Sequence, residues 1–397
     1  MVNTRIKAAR QLKGLTVRQV SARLAGHMSA SRVNRLENGK ATATPADLNL
    51  LSRALGVPRN FFDQPSLDIG PVAFRKRANL GAKKVVQIEA ITQDYVARRA
   101  RVTHLLGLES LPIPEYPEPV RDVLDAEAAA GWLRNQWQLG DNPIHSIVDE
   151  LETRSIPVVK ITADQRFDGL SSLPGAPLTF IVFNGNHSID RQRFTLLHEL
   201  GHHILSIKED SKQAETLVNR FAGAVAVPRK ALEDRLGAHR HRLHPTELLG
   251  LKEDFGLSVA ALLYRAKDCG IITPYVHAQG MKAIGRLGWR QQEPQVFKGR
   301  ERPKRLRELV GRALSENLIN QEQANELYGQ PFVPSSLLPP SPEALRRAED
   351  VWRRTERTML LENQSVTYPE EERRQHIKDL ARTIQARMNA TIDAPAY

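Results

Sequence analysis

Two proline-rich segments divide this chain into blocks. The segment LPIPEYPEPV at 111–120 has four prolines in ten residues, and VPSSLLPPSP at 333–342 is rich in Pro and Ser. Because proline fixes φ and lacks a backbone N–H, the first segment cannot be a helix interior and is typical of a stiff, extended linker. We therefore expect three blocks: residues 1–110, a block of about 120–332, and a tail from about 343.

Length and cysteine content limit the class of protein. The chain has 397 residues, enough for two or three domains, and its single cysteine, Cys269, excludes an internal disulfide framework. The first residues, MVNTRIKAAR, contain no apolar core of signal-peptide length, and no run approaches the roughly 20 apolar residues of a membrane span. We therefore expect a cytoplasmic protein with no membrane partner.

The charge of the chain is concentrated at one end. Residues 1–110 carry 19 Lys and Arg against 7 Asp and Glu, which already equals the net charge of +12 of the whole chain. A basic excess confined to one block is the electrostatic pattern of nucleic-acid binding, although a solvated, solubilising face has the same composition. The spacing of individual residues is needed to distinguish nucleic-acid binding from a solubilising face.

Residues 1–62 have the pattern of five short helices separated by turns. Thr16 and Ser29 can cap the second and third helices, the third ends at Gly39, and Pro45 suits the first turn of the fourth. Two short helices joined by a tight turn, the second with a polar outer face, form the helix-turn-helix pattern. This block is therefore a candidate DNA-binding domain.

The third helix would be the one that reads the bases. Val33 and Leu36 face inward at helical spacing, which turns the polar residues between them outward, where arginine is the commonest reader of guanine. Polar residues in the neighbouring turns are better placed for phosphates, which fix register. The predicted DNA contacts are Thr16, Arg18, Ser29, Ser31, Arg32, Asn34, Arg35, Asn38 and Lys40.

The stretches LTVRQVS and RVNRLENGK, followed by LSRALGVP, resemble the Xre (lambda-repressor-like) family of helix-turn-helix domains over about residues 5–62. The resemblance implies a five-helix domain on residues 1–70 that binds an operator in double-stranded DNA. That family often has Gln after the capping Thr, whereas this chain has Val17, so Arg18 becomes the candidate for that contact. A helical bundle that binds protein instead of DNA is the alternative.

Residues 71–119 are predicted to hold a basic patch, one long helix and the proline-rich linker. Val85, Ile88 and Ile91 recur at helical spacing. This helix would connect domains or form a homodimer, and direct DNA contact by the basic residues at 75–77 is the weaker interpretation.

The central block contains FTLLHELGHH, on a predicted helix at 189–206 with Asp190 as a candidate N-cap. His198 and His202 are four residues apart and share one face, so both can bind one cation, while Glu199 can take a proton from a water that the metal activates. We expect His203 on the helix surface or in support of the ligands. Because H-E-x-x-H arises by chance in roughly 2% of such chains, a third ligand is the test.

Glu215 is the candidate third ligand. It lies on a second predicted helix, SKQAETLVNRFAGAVAVP at 211–228, where Asn219 one turn later could bond to the backbone or to a ligand histidine. On the pattern alone, an exposed helix glutamate is the more frequent interpretation of such a residue.

The pair RFTLLHELGHH and ETLVNRFAGAVAVP resembles the ImmA/IrrE family of metallopeptidases, over roughly residues 140–275 with DGLSS and PLTFIVFN upstream. The resemblance implies a zincin-like domain on 120–275 in which His198, His202 and Glu215 bind Zn²⁺, with Mn²⁺ as a second candidate. It also implies that Glu199 is the general base. We expect the strand PLTFIVFN to be the sheet edge that holds a peptide substrate.

The expected fold is mainly α with a small β-sheet (α+β), completed by a helical extension at 276–332 and a linker and helical tail at 333–397. The leading hypothesis is a DNA-binding transcriptional regulator with a zinc-dependent endopeptidase domain. Its protein substrate would be itself or a partner repressor or antitoxin, cleaved to relieve repression in a stress or mobile-element response. The alternative is a non-catalytic repressor or antitoxin-like module that senses a ligand or binds a partner. A metal-dependent DNA-processing enzyme is weaker, because such sites favour carboxylate-rich clusters.

Overall fold

The computed structural model describes residues 2–64, 80–108, 113–207, 211–333 and 342–361, with further helical residues between 370 and 384. The described chain is mainly helical with one three-stranded sheet, so the predicted α+β class is confirmed. It divides into two compact units between Leu309 and Val310. The basic residues at 75–77, and most of the linker at 333–342, lie outside the described residues.

The N-terminal region contains four α-helices and one 3-10 helix. The helices are α1 (Val2–Leu12), α2 (Val17–Arg23), α3 (Ala30–Glu37) and α4 (Pro45–Leu55), and the 3-10 helix is Arg59–Asp63. The fifth of the predicted helices is therefore a 3-10 turn, which brings Phe61 and Phe62 into the core at 6% and 0% exposure. Thr16 and Ser29 cap α2 and α3 with their side chains, as the sequence predicted.

A buried ion pair joins the first and third of these helices. Both oxygens of the Glu37 carboxylate accept from the Arg10 guanidinium, at 2.7 and 2.8 Å, and Arg10 also donates to the carbonyl of Leu15. Bidentate pairs of this kind fix geometry as well as adding energy. The orientation of α3 is thus set from inside the domain, which leaves its outer face for other contacts.

One long helix, α5 (Ala82–Leu105), follows the gap at 65–79. It packs against α1 at one end and against the first strand of the sheet, β1 (Val158–Ile161). Gln87 donates to the carbonyl of Leu12, and its amide lies against Gly14, where a Cβ would come within 2.6 Å of it. The helix thus contacts both an N-terminal helix and a strand of the central sheet.

The central region places a small sheet among helices. The sheet contains β1, β2 (Gly169–Ser171) and β3 (Ile181–Asn184) in the order β1-β3-β2, with β3 parallel to β1 and antiparallel to β2. The strand of PLTFIVFN was expected at the edge, and this is wrong, because β3 is paired on both sides. Its four residues are all buried, as the centre of a sheet requires. The two outer strands beside β3 are β1 and β2.

Two helices of the central region carry the predicted motifs. They are α8 (Ile189–Ile204) and α9 (Lys212–Ala226). The N-cap of α8 is Ser188 and not the expected Asp190, which lies in the first turn 3.7 Å from the Lys252 ammonium. The flanking helices are α6 (Val123–Gln136), α7 (Ile147–Thr153), α10 (Arg229–Leu236), α11 (Pro245–Phe255), α12 (Val259–Asp268) and α13 (Pro274–Arg286).

Gly201 sets the distance between α8 and α9. A Cβ at this position would lie 2.9 Å from Phe221 Cδ1 and 3.1 Å from Val218 Cγ1, so only glycine allows the two helices to approach this closely. Phe221 and Val218 are themselves fully buried in the core that surrounds the helix pair.

The helices after α13 are α14 (Arg305–Ser315), α15 (Gln321–Tyr328) and α16 (Pro342–Leu361). On α16, Ala344 and Ala348 are buried, whereas Leu345 is half-buried. Among the helices of the described chain, none combines the length and the apolar character of a membrane span.

Candidate metal centre and nucleic-acid interface

The two histidines of HELGH face each other on α8. The Nε2 atoms of His198 and His202 are 3.2 Å apart. Two ligand bonds of 2.0–2.1 Å that meet at a tetrahedral angle place their ligand atoms about 3.4 Å apart. The pair therefore has the spacing that two imidazole ligands of one metal ion need.

Glu215 reaches the same point from α9. Its carboxylate oxygens lie 3.5 Å from His198 Nε2 and 3.8 Å from His202 Nε2. The side chain is buried, at 4% exposure for the residue, so the interpretation as an exposed helix glutamate is wrong. Two neutral nitrogens and one carboxylate within 4.8 Å of one another form a donor set that suits Zn²⁺, and this set fits a three-ligand metal site.

Asn219 holds one of the two imidazoles in place. Its Oδ1 lies 2.9 Å from His198 Nδ1, which makes that nitrogen the donor and leaves Nε2 as the lone-pair atom that faces Glu215. A second partner of this kind fixes the ring and its tautomer. Of the two partners expected for Asn219, the backbone and a ligand histidine, the structure has the histidine.

Glu199 is buried beside the sheet, at 4% exposure. One of its oxygens, Oε2, accepts a hydrogen bond of 2.8 Å from the hydroxyl of Ser171 on β2. Gly169 on the same strand lies against α8, because a Cβ there would be 2.6 Å from Thr195 Cγ2 and 3.6 Å from Glu199 Cγ. Strand β2 thus packs directly against α8, and its Ser171 orients the Glu199 carboxylate.

Sequence reasoning missed the role of Ser171. It lies in DGLSS, which contributed to the family resemblance, but no periodicity pairs a strand serine with a helix glutamate 28 residues later. The expected surface position of His203 is also wrong, since that residue is 4% exposed.

Two residues of α12, Tyr264 and Arg265, carry hydrogen-bond donors of the kind that stabilises an oxyanion. The Arg265 guanidinium is 2% exposed and is engaged with the Glu127 carboxylate and the carbonyl of Val227, which makes it a packing residue of α12. Tyr264 is 48% exposed, and its ring lies 4.4 Å from that of His277.

A buried ion pair anchors the first turns of α8. Arg193 donates to Glu301 at 2.5 Å, and the Glu301 carboxylate also accepts from the backbone N–H groups of Ile147 and Val148 at the start of α7. Burial raises the pKa of Glu301. Arg193 is part of the RFT stretch that contributes to the family resemblance. Its partner Glu301 lies 108 residues away, and no pattern in the sequence predicts that the two residues pair.

The predicted DNA contacts of the third helix lie on its outer surface. Val33 and Leu36 are buried, as expected, at 0% and 1% exposure. The exposed candidates are Arg18, Ser31, Arg32, Asn34, Arg35, Asn38 and Lys40. Thr16 and Ser29 are exposed as well, and their hydroxyls cap α2 and α3.

Two of these candidates are held by contacts within the domain. The Arg32 guanidinium lies 2.7 Å from the Asp47 carboxylate, which also caps α4, and the Asn38 amide donates to both the carbonyl and the side chain of Asn34. Arg35, in contrast, has no ion pair with any residue that the structure describes. Of the arginines of this helix, Arg35 therefore has the guanidinium that can turn to a base without breaking an ion pair.

Comparison with known proteins agrees with both halves of this description. Residues 6–62 match the family model for the helix-turn-helix domain, and residues 158–267 match the peptidase-family model described as the IrrE N-terminal-like domain. No curated protein matches the chain. The chain therefore carries a DNA-binding helix-turn-helix domain and a metallopeptidase-type domain of the IrrE N-terminal-like family, which confirms the predicted fusion.

Proposed function

We propose that this protein is a transcriptional regulator that binds a double-stranded DNA operator and ends repression by zinc-dependent endoproteolysis. Its substrate is itself or a partner repressor or antitoxin, and the cleavage belongs to a stress or mobile-element response. The observation that carries the proposal is the convergence of His198, His202 and Glu215 beside the oriented carboxylate of Glu199.

The three-residue set would hold Zn²⁺, with Mn²⁺ as the second candidate. A bound ion would supply Lewis-acid polarisation of a peptide carbonyl and a water that ionises near neutral pH. Deprotonation of that water needs a nearby base that is not itself a ligand. Glu199 is one residue from His198 on α8 but is not a member of the three-residue set.

The chain's own groups account for the proton transfers. Glu199 accepts a proton from the attacking water and returns it to the leaving amine, as a general base that then acts as an acid. Ser171 donates to Oε2 of that carboxylate and so orients the group that exchanges the proton. Because β2 pairs with β3 on one side, its other side can align an extended peptide by strand addition next to Glu199.

The decisive experiment compares the wild-type protein with Glu199→Gln. Both are purified with zinc and incubated with candidate regulators and with the chain alone, in the presence and absence of duplex and single-stranded DNA. We expect cleavage by the wild type and a loss of at least 100-fold in the variant, since general-base catalysis typically contributes 10²–10⁴-fold. The variant should still bind one metal ion per chain.

Metal content separates this proposal from a non-catalytic module. His202→Ala should lose the ion that the wild type and Glu199→Gln retain, because one of three ligands is gone. If the wild type binds metal and DNA but cleaves no protein under any trigger, the proposed proteolysis is wrong. The alternative, a non-catalytic module that senses a ligand, is then the better hypothesis.

A further inference from the structure

A lysine outside the matched helix-turn-helix region lies beside α2. Lys83 is on α5, and its Nζ is 3.4 Å from Oε1 of Gln19 on α2. Both side chains are exposed. Lys83 also lines one cleft together with Thr16 and Val17, so the start of α5 and the start of α2 share a surface.

The position of this lysine is fixed by the way α5 packs. Gln87 lies one helical turn after Lys83 and on the same face, and it is held on α1 by its bond to the Leu12 carbonyl and by its contact with Gly14. Gln19 is fixed as well, because its Oε1 accepts from the backbone N–H of Thr16 at 2.8 Å. Lys83 is therefore placed at α2 by packing and is not free to sample the whole surface.

The helix that Lys83 contacts is the one that meets the DNA backbone. In a helix-turn-helix domain, the second helix lies in the major groove while the first helix crosses the phosphate backbone. Here these are α3 and α2. An ammonium group has three donors, so Lys83 can keep its bond to Gln19 and still offer two donors and a full charge to a phosphate.

We propose that Lys83 contacts a DNA phosphate, so that the DNA-binding surface of this protein extends from the helix-turn-helix domain onto α5. The inference rests on the proposed DNA binding. It adds a contact from a residue that lies outside residues 6–62, the region that matches the helix-turn-helix family model. The next residue is a natural comparison. Lys84 has the same charge, but its Nζ lies 3.9 Å from the Asp164 carboxylate of the central region.

The test measures the salt dependence of DNA binding by the full chain. The probes are a 30-base-pair duplex selected by the wild-type protein from a random library and an unselected duplex of equal length. Each phosphate contact contributes about 0.9 to the slope of log K against log salt. We expect Lys83→Ala to lower the slope by about that amount on both duplexes, so its affinity deficit shrinks roughly 3.5-fold between 50 and 200 mM salt.

Lys84→Ala is the matched control and should leave the slope at the wild-type value, while Lys83→Arg should restore it. Thermal unfolding of the variants should match the wild type, since both lysines are exposed. An unchanged slope in Lys83→Ala, or an equal loss in Lys84→Ala, overturns the assignment of this contact while the DNA-binding proposal stands. A wild-type chain that binds neither duplex overturns the DNA-binding proposal, and this contact with it.

Discussion

At the scale of single residues, the candidate metal site depends on groups outside its three-residue set. Asn219 fixes one histidine and Ser171 fixes the Glu199 carboxylate, each through one hydrogen bond. The helical period alone was enough to predict that His198 and His202 share a face. It could not decide whether Glu215 is a ligand or an exposed carboxylate, because that depends on which side of α9 packs against α8.

Removing the Asn219 side chain tests how much the ligand geometry depends on it. Asn219→Ala leaves His198 Nδ1 without the acceptor that fixes its tautomer, so the affinity for Zn²⁺ should fall 10- to 100-fold. A competition titration with a chelator measures this loss without any protein substrate. Thr216→Ala, an exposed position one turn earlier on α9, is the control and should keep the wild-type affinity.

If Asn219→Ala binds zinc as tightly as the wild type, the bond to His198 is incidental, and the imidazole is oriented by packing alone.

At the scale of elements, the site is made by the close approach of two helices and one strand. Gly201 lets α8 and α9 meet, and Gly169 lets β2 reach α8. Both helices and β3 followed from the apolar pattern, whereas β2 was not predicted as a strand. The order of the strands was not predicted either, although the unbroken apolar run FIVF at 180–183 is the pattern of a strand that is covered on both faces.

Gly201→Ala should separate the two helices. The added methyl would overlap Phe221 and Val218, and overpacking of this kind costs about 1–3 kcal/mol of unfolding free energy. Because Glu215 is carried by α9, the same displacement should also weaken zinc binding. Denaturant unfolding and zinc titration measure the two effects.

Gly223→Ala is the matched control, since Gly223 is a glycine inside α9, the helix that packs against Gly201. A Cβ there meets only Arg265 Cδ at 3.7 Å, so alanine should be neutral or stabilising through helix propensity. Equal destabilisation by both substitutions would show that loss of glycine itself, and not the approach of the helices, is responsible.

At the scale of the whole molecule, buried carboxylates join distant segments. Glu152 on α7 accepts from the backbone N–H groups of Lys304 and Arg305, and Glu301 joins α7 to α8. Burial raises the pKa of Glu152 to about 7. Residues 301–305 lie beyond the matched peptidase domain and bind to the central region through these two carboxylates. No local sequence pattern indicates this connection.

The stability of the chain should therefore depend on Glu152 and pH. The pKa of this carboxyl is higher in the folded state than in the unfolded state, so its stabilising effect is complete below about pH 4.5 and is lost as the pH rises through 7. Relative to Glu152→Gln, the wild type should lose on the order of 3 kcal/mol of unfolding free energy between pH 4.5 and 8.

Denaturant unfolding of both proteins across this pH range measures the difference in unfolding free energy. Protonation of the histidines affects both proteins equally and cancels in the comparison. Glu150→Gln on the same helix, where the carboxylate pairs with Arg154 at the surface, should run parallel to the wild type. Parallel curves for the wild type and Glu152→Gln would show that Glu152 stays ionised in the folded protein.

The buried pair of Arg193 and Glu301 has a consequence for how the protein is made. A ribosome that adds about 5–20 residues per second needs roughly 5–20 s to travel the 108 positions between them. During that interval α8 has been synthesised, but Arg193 lacks the carboxylate that neutralises it. The helix-turn-helix domain, whose Arg10 and Glu37 lie only 27 positions apart, can fold long before. The nascent chain would thus acquire its helix-turn-helix domain first, and its peptidase-type domain only after Glu301 has been synthesised.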